Sequence, residues 1–357
     1  MYLKQEAYRQ DLETAWRGIV NREKLGGKRI LITGATGLIG SFLTDLLLYA
    51  NRAYGMGMDV FILARDEKRA AERFASSMGE EGFYGIFQDV TQPLELEEPL
   101  DYIIHAAGDG FPLAFRTAPV ETMTPALLGT YHLLQYARKV KLEKFLYISS
   151  GEVYGKLPET KKEFGENDCG YLDSMAVRSC YPMAKRCAET LCVSFQEQYH
   201  VPVVIARPSH VYGACTSIHD NRATAQFLNT ALEGKHVILN SPGRQMRSYT
   251  YVADCASGIY TVLLNGKAKE AYNIANRISR LTIADFAQIL AETAQTSCEI
   301  KIPDEHEKRE YTPIEYAVLD SSRLEKLGWK GQYSAQKGIR QMLKIKRRSK
   351  KDDEELI

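Results

Sequence analysis

The stretch that most restricts the fold is Arg29-Ile-Leu-Ile-Thr33, which runs straight into Gly34-Ala35-Thr36-Gly37-Leu38-Ile39-Gly40. An apolar run this short, broken by glycine, fits a strand covered on both faces. An apolar helix pattern from Leu38 to about Ala50 follows at once and has to pack back on that strand. Glycine lets the chain turn tightly and approach a phosphate with no Cβ in the way, and the helix start offers free N–H groups and a positive dipole end. A glycine turn placed after a first strand and opening a helix reads as a dinucleotide cradle built from Gly34, Thr36, Gly37, Leu38, Ile39 and Gly40.

Further strands are expected at Asp59–Leu63, Tyr84–Gln88, Asp101–His105, Lys144–Ile148 and Val201–Ala206, several of them separated by helical stretches. Buried strands alternating with helices predict an α/β fold of Rossmann type, a doubly wound parallel sheet. After Arg207 the loops lengthen and become polar and aromatic, around a strand-like Ala271–Ala275 and a helix from Ile283 to about Ala294. The expected organisation is a helical extension over 1–27, a dinucleotide-binding domain over 28–206, a smaller C-terminal substrate-binding lobe over 207–343 with some return to the first domain, and a charged, solvated tail over 344–357. In the extension, Tyr8, Leu12, Trp16 and Ile19 or Val20 recur at helical spacing, as in a strap packed on the main domain.

The formal charge of +1 gives no reason to expect nucleic acid as a partner. No apolar run reaches the ~20 residues that span a bilayer, and the N-terminus lacks the basic and apolar runs of a signal peptide. Seven cysteines stand without close pairing, so a cytoplasmic location is expected. Cys187, Cys192 and Cys255 read as small core residues, and Cys215 with His219 is one isolated pair, so no metal is expected.

The second strand of a dinucleotide fold usually ends in an acid that binds the ribose. Here the place is Ala64 followed by Arg65, which leaves NADP open beside NAD. Asp89-Val90 is positioned to meet the adenine, and the small Ala106 and Ala107 let a cofactor pass close over the sheet. Ser149-Ser150-Gly151-Glu152-Val153-Tyr154 follows the fifth strand, and Tyr181 and Lys185 come four apart at the start of a helix pattern. Those two share a helix face, and a nearby ammonium lowers a phenol toward the role of a base. With Ser150 on the same substrate oxygen, the set suits removal of a carbinol proton while hydride leaves for a nicotinamide.

On these motifs the chain resembles extended short-chain dehydrogenase/reductases of the NAD-dependent epimerase/dehydratase family, over roughly residues 28–340. The glycines match at 34, 37 and 40, the Ser, Tyr and Lys at Ser150, Tyr181 and Lys185, and the Arg-Pro at Arg207-Pro208. Within the family the chain is most similar to UDP-glucuronate decarboxylases, through Glu152, through Asp220-Asn221-Arg222-Ala223 and through the run Arg247-Ser248-Tyr249-Thr250-Tyr251-Val252-Ala253-Asp254. The resemblance implies bound NAD, near Pro208 as well, and a nucleotide sugar, UDP-linked, held by Ser150, Gly151, Glu152, Tyr181, His210, Arg222 and Arg247. It implies Ser150, Glu152, Tyr181, Lys185 and Arg247 as the catalytic set. It also implies a homodimer formed by helices at Val120–Val140 and Tyr181–Tyr199. The chain departs from the pattern at Ala126, at His210 where an Asn is usual, and at Gly151, where dehydratases carry an Asp and decarboxylases a Ser.

The implied reaction oxidises C4, loses carbon dioxide from the β-keto acid and reduces C4 again. The alternatives are a 4-epimerase, if the keto sugar turns over before hydride returns, a reductase using free NADPH, and a 4,6-dehydratase, which Gly151 leaves without its usual acid. An NAD(P)-sensing binding protein is the reading from another class, and the complete Ser150, Tyr181 and Lys185 set speaks against it.

Overall fold

The computed structural model describes residues 2–96, 99–108, 110–158, 160–216, 220–301 and 315–354, the last seven by backbone alone. Helix α1 (Glu6–Gly18) precedes strand β1 (Arg29–Thr33), α2 (Leu38–Tyr54), β2 (Asp59–Ala64), α3 (Glu67–Arg73), β3 (Phe83–Phe87) and β4 (Tyr102–His105). Helices α4 (Pro112–Thr117), α5 (Pro119–Thr124) and α6 (Thr130–Val140) lead to β5 (Lys144–Ile148), and α7 (Cys180–Tyr199) leads to β6 (Val203–Pro208). Between α5 and α6 the chain makes one π-helical turn, Pro125–Gly129, where proline has no N–H to continue the α pattern.

These six strands and a seventh form one parallel sheet, ordered β10-β6-β5-β4-β1-β2-β3. The return from the C-terminal part is β10 (Ala271–Ile274), which lies beside β6. Strand order reverses between β1 and β4, so the chain segments leaving their C-terminal ends diverge and open a crevice, where ligands bind in such sheets. The glycine turn, Ala106–Ala107 and Ser149–Tyr154 all leave strands at that edge. The expected strands hold to within one or two residues at each end, as is usual for fraying termini.

Beyond β6 the chain runs through β7 (His210–Tyr212), α8 (Ala223–Leu232), β8 (Val237–Leu239), β9 (Met246–Tyr251) and α9 (Val252–Asn265) before β10. It then forms β11 (Arg280–Thr282), α10 (Ile283–Ala294), β12 (Cys298–Ile300), β13 (Tyr316–Ala317), α11 (Ser322–Glu325) and α12 (Ala335–Glu354). Strand β9 is the hub of the smaller lobe and pairs with β7, β11 and β13. Every residue of α9 from Val252 to Leu264 is buried. A helix apolar all round needs cover on both sides. The sheet covers one side and α1 the other, through Tyr8, Leu12, Ala15 and Trp16. The extension is thus a packed layer, and burying a side chain such as Leu12 stabilises it by about 1.5–3 kcal/mol before ordering costs.

Two expectations change. The tail from Lys344 continues α12, with Ile345 buried, Lys346 Nζ donating to Thr216 O at 3.2 Å and Arg347 Nη2 to Ala294 O at 2.9 Å. Cys192 and Cys255 lie in the core, but Cys187 is exposed. The buried stripe of α7 runs through Ala184, Ala188, Cys192 and Phe195, and position 187 falls off it. Cys215 Sγ lies 3.3 Å from Tyr8 Oη, and His219 lies outside the described residues.

Candidate active site

The cradle is held by its own neighbours. Gly34 has φ +64°, and a Cβ there would lie 2.7 Å from the Ala106 carbonyl oxygen, so only glycine lets β1 and β4 approach this closely. A Cβ at Gly40 would meet the Gly34 oxygen, which fixes the start of α2 against the turn. Thr33 Oγ1 accepts from Ala106 N at 3.2 Å and Ala107 N at 3.1 Å, and donates to His105 Nδ1 at 2.8 Å. Burial, with Lys185 nearby, takes His105 down to about 3, so its Nε2–H donates to Pro125 O at 3.3 Å. Helix α2 begins at Gly37 with no side-chain cap, which leaves the first-turn amides to an anion. These features fit the pyrophosphate of a dinucleotide.

At the end of β2, Ala64 is buried and Arg65 exposed. The first acid, Asp66, caps α3 by accepting from Arg69 N at 2.9 Å, so it is not directed at a ribose. Asp89 Oδ1 accepts from Thr91 N at 2.9 Å and Thr91 Oγ1 at 2.7 Å, which hold it below the usual carboxylate range with help from Arg65. Val90 is buried against Gly129.

Strand β5 leads to Ser150, whose Oγ accepts from Glu152 N at 3.2 Å and which favours ionisation of the Tyr181 hydroxyl. The first turn of α7 carries Tyr181, and one turn on Lys185 donates to Ile148 O at 2.7 Å, 4.8 Å from the Tyr147 ring and 5.9 Å from that of Tyr181. In the protein alone, burial outweighs every other effect on this pair. It pushes the Tyr181 phenol up to about 12, against Ser150 and the charges of Arg222 and Arg178, and the Lys185 ammonium down to about 8. Lys185 Nζ is turned onto the Ile148 carbonyl, and the expected lowering of the phenol belongs to the ammonium acting together with a nicotinamide charge. Arg207 on β6 grips Glu189 of the same helix, Nε to Oε1 at 2.9 Å and Nη2 to Oε2 at 2.6 Å, and so braces α7. Pro208, next along, is buried.

Arg247, on β9, is 4% exposed and donates through Nη1 to Met246 O at 2.8 Å and Glu315 O at 3.2 Å. Burial lowers its pKa, opposed by Tyr249 and by Glu152, which places Glu152 within its field. His210 opens β7 with an exposed side chain, and the atoms packed around it, with the charges of Arg247 and Arg222, act against its protonation. Arg222 is folded onto Asp220, Nε to Oδ1 at 2.9 Å and to Oδ2 at 3.0 Å, with its guanidinium 5.8 Å from the Phe111 ring centroid.

A dinucleotide cradle and a Ser-Tyr-Lys set on one sheet edge, with buried guanidinium close by, limit the families this chain can join. The profile of the NAD dependent epimerase/dehydratase family matches residues 30–275. The chain belongs to that family. UDP-glucuronic acid decarboxylase 6 of Arabidopsis thaliana is 31% identical over 319 residues, 87% of this chain and 86% of that protein. UDP-glucuronic acid decarboxylase 1 of Danio rerio is 34% identical over 263 residues, 74% of this chain and 60% of that protein. Among solved structures, UDP-glucuronic acid 4-epimerase from Bacillus cereus, in complex with UDP-glucuronic acid and NAD, superposes with a TM-score of 0.73 at 23% identity, covering 90% of this chain and 99% of its own. The dTDP-glucose 4,6-dehydratase of Bacillus anthracis, in complex with NAD, gives 0.75 at 20%, covering 91% and 98%. These two likenesses show a shared fold.

In this epimerase/dehydratase family member the structure also brings forward residues that sequence spacing did not single out. Phe115 stacks on Tyr181 with ring centroids 4.7 Å apart and an 18° interplanar angle. A Cβ at Gly110 would lie 3.8 Å from the Tyr181 hydroxyl. Arg178 pairs with Glu152. Segment 110–115 follows β4 with no periodic pattern, and only its place after the fourth strand could have drawn attention to it. Among the described residues no helix is long and apolar enough to cross a membrane, and no His, Cys, Asp and Glu group could hold a metal.

Proposed function

We propose that this family member is a UDP-hexuronate decarboxylase that works with bound NAD. The observation that carries the reading is the place of Glu152, whose amide donates to Ser150 Oγ at 3.2 Å and whose carboxylate pairs with Arg178, three residues before Tyr181, so that its charge reaches both Tyr181 and the buried Arg247. A decarboxylase needs three such groups, Tyr181, Glu152 and Arg247, around C4, C5 and C6. Gly151 supports the reading from the other side. Dehydratases carry an acid at this place, and glycine supplies none. Sequence relatives named as UDP-glucuronic acid decarboxylases point the same way.

The cradle Gly34–Gly40 with Ala106, Ala107, Val90 and Pro208 would hold the dinucleotide, and Arg65 and Asp89 would flank its adenosine end. Bound NAD supplies a reversible two-electron acceptor at C4. Tyr181 accepts the 4-hydroxyl proton, guided by Ser150, while Lys185 keeps positive charge beneath the ring. The resulting 4-ketone is β to the C6 carboxylate, so the C5–C6 bond can break with its electron pair stored in an enolate. Arg247 orients the carboxylate, and Glu152, an anion held by Arg178, orders the water whose proton goes to C5. Tyr181 then returns its proton to O4. His210 and Arg222 line the nucleotide-sugar path, and residues 207–343 form most of that lobe. We place the enzyme in the cytoplasm as a homodimer packed through α5, α6 and α7, with Val120 of α5, Leu128 of the π-helical turn and Tyr131 of α6 exposed on that side.

Incubation with UDP-glucuronate, UDP-galacturonate, UDP-glucose and a dTDP-hexose, read by mass spectrometry, tests the assignment. Loss of carbon dioxide from a hexuronate is the expected result. Unchanged mass with an altered sugar, loss of water, net addition of hydrogen, or no reaction at all would overturn it in favour of the other readings.

A further inference from the structure

Arg178 takes no step in the chemistry above, yet it is fixed to Glu152, which does, and to Phe115, which stacks on Tyr181. It sits on the short turn Val177–Ser179 that runs into α7, three residues before Tyr181. Its Nη2 lies 3.1 Å from Oε1 and 3.0 Å from Oε2 of Glu152. Its guanidinium carbon lies 4.7 Å from the centroid of Phe115, a buried ring that itself stacks on Tyr181. Guanidinium, phenyl and phenol thus form one column, which sets Arg178, and through it Glu152, relative to the reacting hydroxyl.

The charges around Glu152 give this column a purpose. An acidic sugar whose carboxylate is oriented by Arg247 arrives beside a second carboxylate, that of Glu152. Two anions against one guanidinium repel, and like charges in a cleft oppose binding strongly. Arg247 is committed at Nη1 to the carbonyls of Met246 and Glu315 and is buried, so it does not swing outward to serve both. Arg178 is the second cation, already on Glu152 and reachable from solvent, with its side chain 49% exposed.

We infer that Arg178 is a specificity-determining positioning residue that neutralises and anchors Glu152, so that an anionic sugar is admitted beside it. The inference rests on the hexuronate reading above. Its effect is selective for charge. Without Arg178, Glu152 repels an acidic sugar and leaves a neutral sugar on the same nucleotide unaffected. Removing the Glu152 charge as well removes the repulsion.

The test is binding of UDP-glucuronate and UDP-glucose to the NAD-loaded protein by calorimetry, for wild type, Arg178→Gln, Arg178→Lys and the double variant Glu152→Gln/Arg178→Gln. Arg178→Gln should weaken UDP-glucuronate about fivefold, in keeping with a partly exposed ion pair, and leave UDP-glucose unchanged. Arg178→Lys should keep most of the affinity, and the double variant should recover it without recovering turnover. UDP-glucose affinity doubles as the check that the fold is intact. Equal loss of both sugars in Arg178→Gln would overturn the inference while leaving a decarboxylating wild type untouched. So would failure of the double variant to recover, because Arg178 would then grip the substrate carboxylate itself. A wild type with no preference for the acidic sugar would overturn the inference and the hexuronate reading together.

Discussion

Tyr333 donates its phenolic hydrogen to Asp11 at 2.7 Å, tying the start of the chain to the segment that enters α12. The same carboxylate accepts from Tyr251 Oη at the end of β9 and from Gln341 Nε2 at 3.1 Å. Asp11 is wholly buried, and burial raises its pKa against those three hydrogen bonds. Replacement by alanine leaves two buried hydroxyls without an acceptor. Asp11→Ala should therefore cost about 2–4 kcal/mol in urea unfolding, and Asp11→Asn less, since an amide oxygen still accepts. A loss within the error of the method for Asp11→Ala would refute the clamp.

A second buried carboxylate makes stability depend on pH. Burial lifts Asp254 to about 6, against hydrogen bonds from the Gln332 and Tyr333 amides and from Asn276 and the charge of Lys337. Its folded value lies above its unfolded value of about 4, so the protonated form favours the fold. That contribution is complete below about pH 4 and is lost as pH rises through about 6, a change of roughly 3 kcal/mol. Unfolding free energies of wild type and Asp254→Asn across this window should differ in slope, with the variant flatter. Parallel curves would show that Asp254 does not titrate there.

The pair proposed to act on the 4-hydroxyl, Tyr181 and Lys185, gives an activity prediction. Tyr181→Phe should cut turnover at least about a hundredfold while UDP and NAD still bind, as expected when a general base is removed. Lys185 is depressed to about 8, so its positive charge is lost as pH rises through that value. The rate should fall on the alkaline side with it, after correction for substrate binding. A profile still flat one unit above would show that bound ligands restore the ammonium or that the charge is not needed.

Much of this was legible in the chain itself. Residues 29–40 imposed the cradle because glycine is required where β1 meets Ala106. Tyr181 and Lys185 declared themselves by a spacing that only a helix turns into neighbours. What spacing could not show is orientation. Lys185 faces the Ile148 carbonyl, and Asp66 is taken up in capping α3. Nor could it show contacts between distant segments. The Phe115–Tyr181 stack joins residues 66 positions apart in the sequence, and α1 declares an apolar face without saying that α9 is what it covers.

Glu152 and Arg247 separate the steps of the proposed reaction. In the proposed reaction Arg247 holds the C6 carboxylate, and a charge-assisted hydrogen bond contributes about 1.5–3 kcal/mol. Arg247→Ala should therefore slow carbon dioxide release from UDP-glucuronate by about tenfold or more, with affinity for UDP itself changed far less. If UDP and the acidic sugar weaken in step, the guanidinium serves the diphosphate. Glu152→Gln acts later in the sequence. It leaves Ser150, Tyr181 and Lys185 in place, so oxidation at C4 and loss of carbon dioxide should persist in a single turnover, while reduced cofactor and a decarboxylated 4-keto sugar build up because protonation at C5 is slowed. Reoxidation of the cofactor at the wild-type rate in Glu152→Gln would remove Glu152 from the protonation of C5.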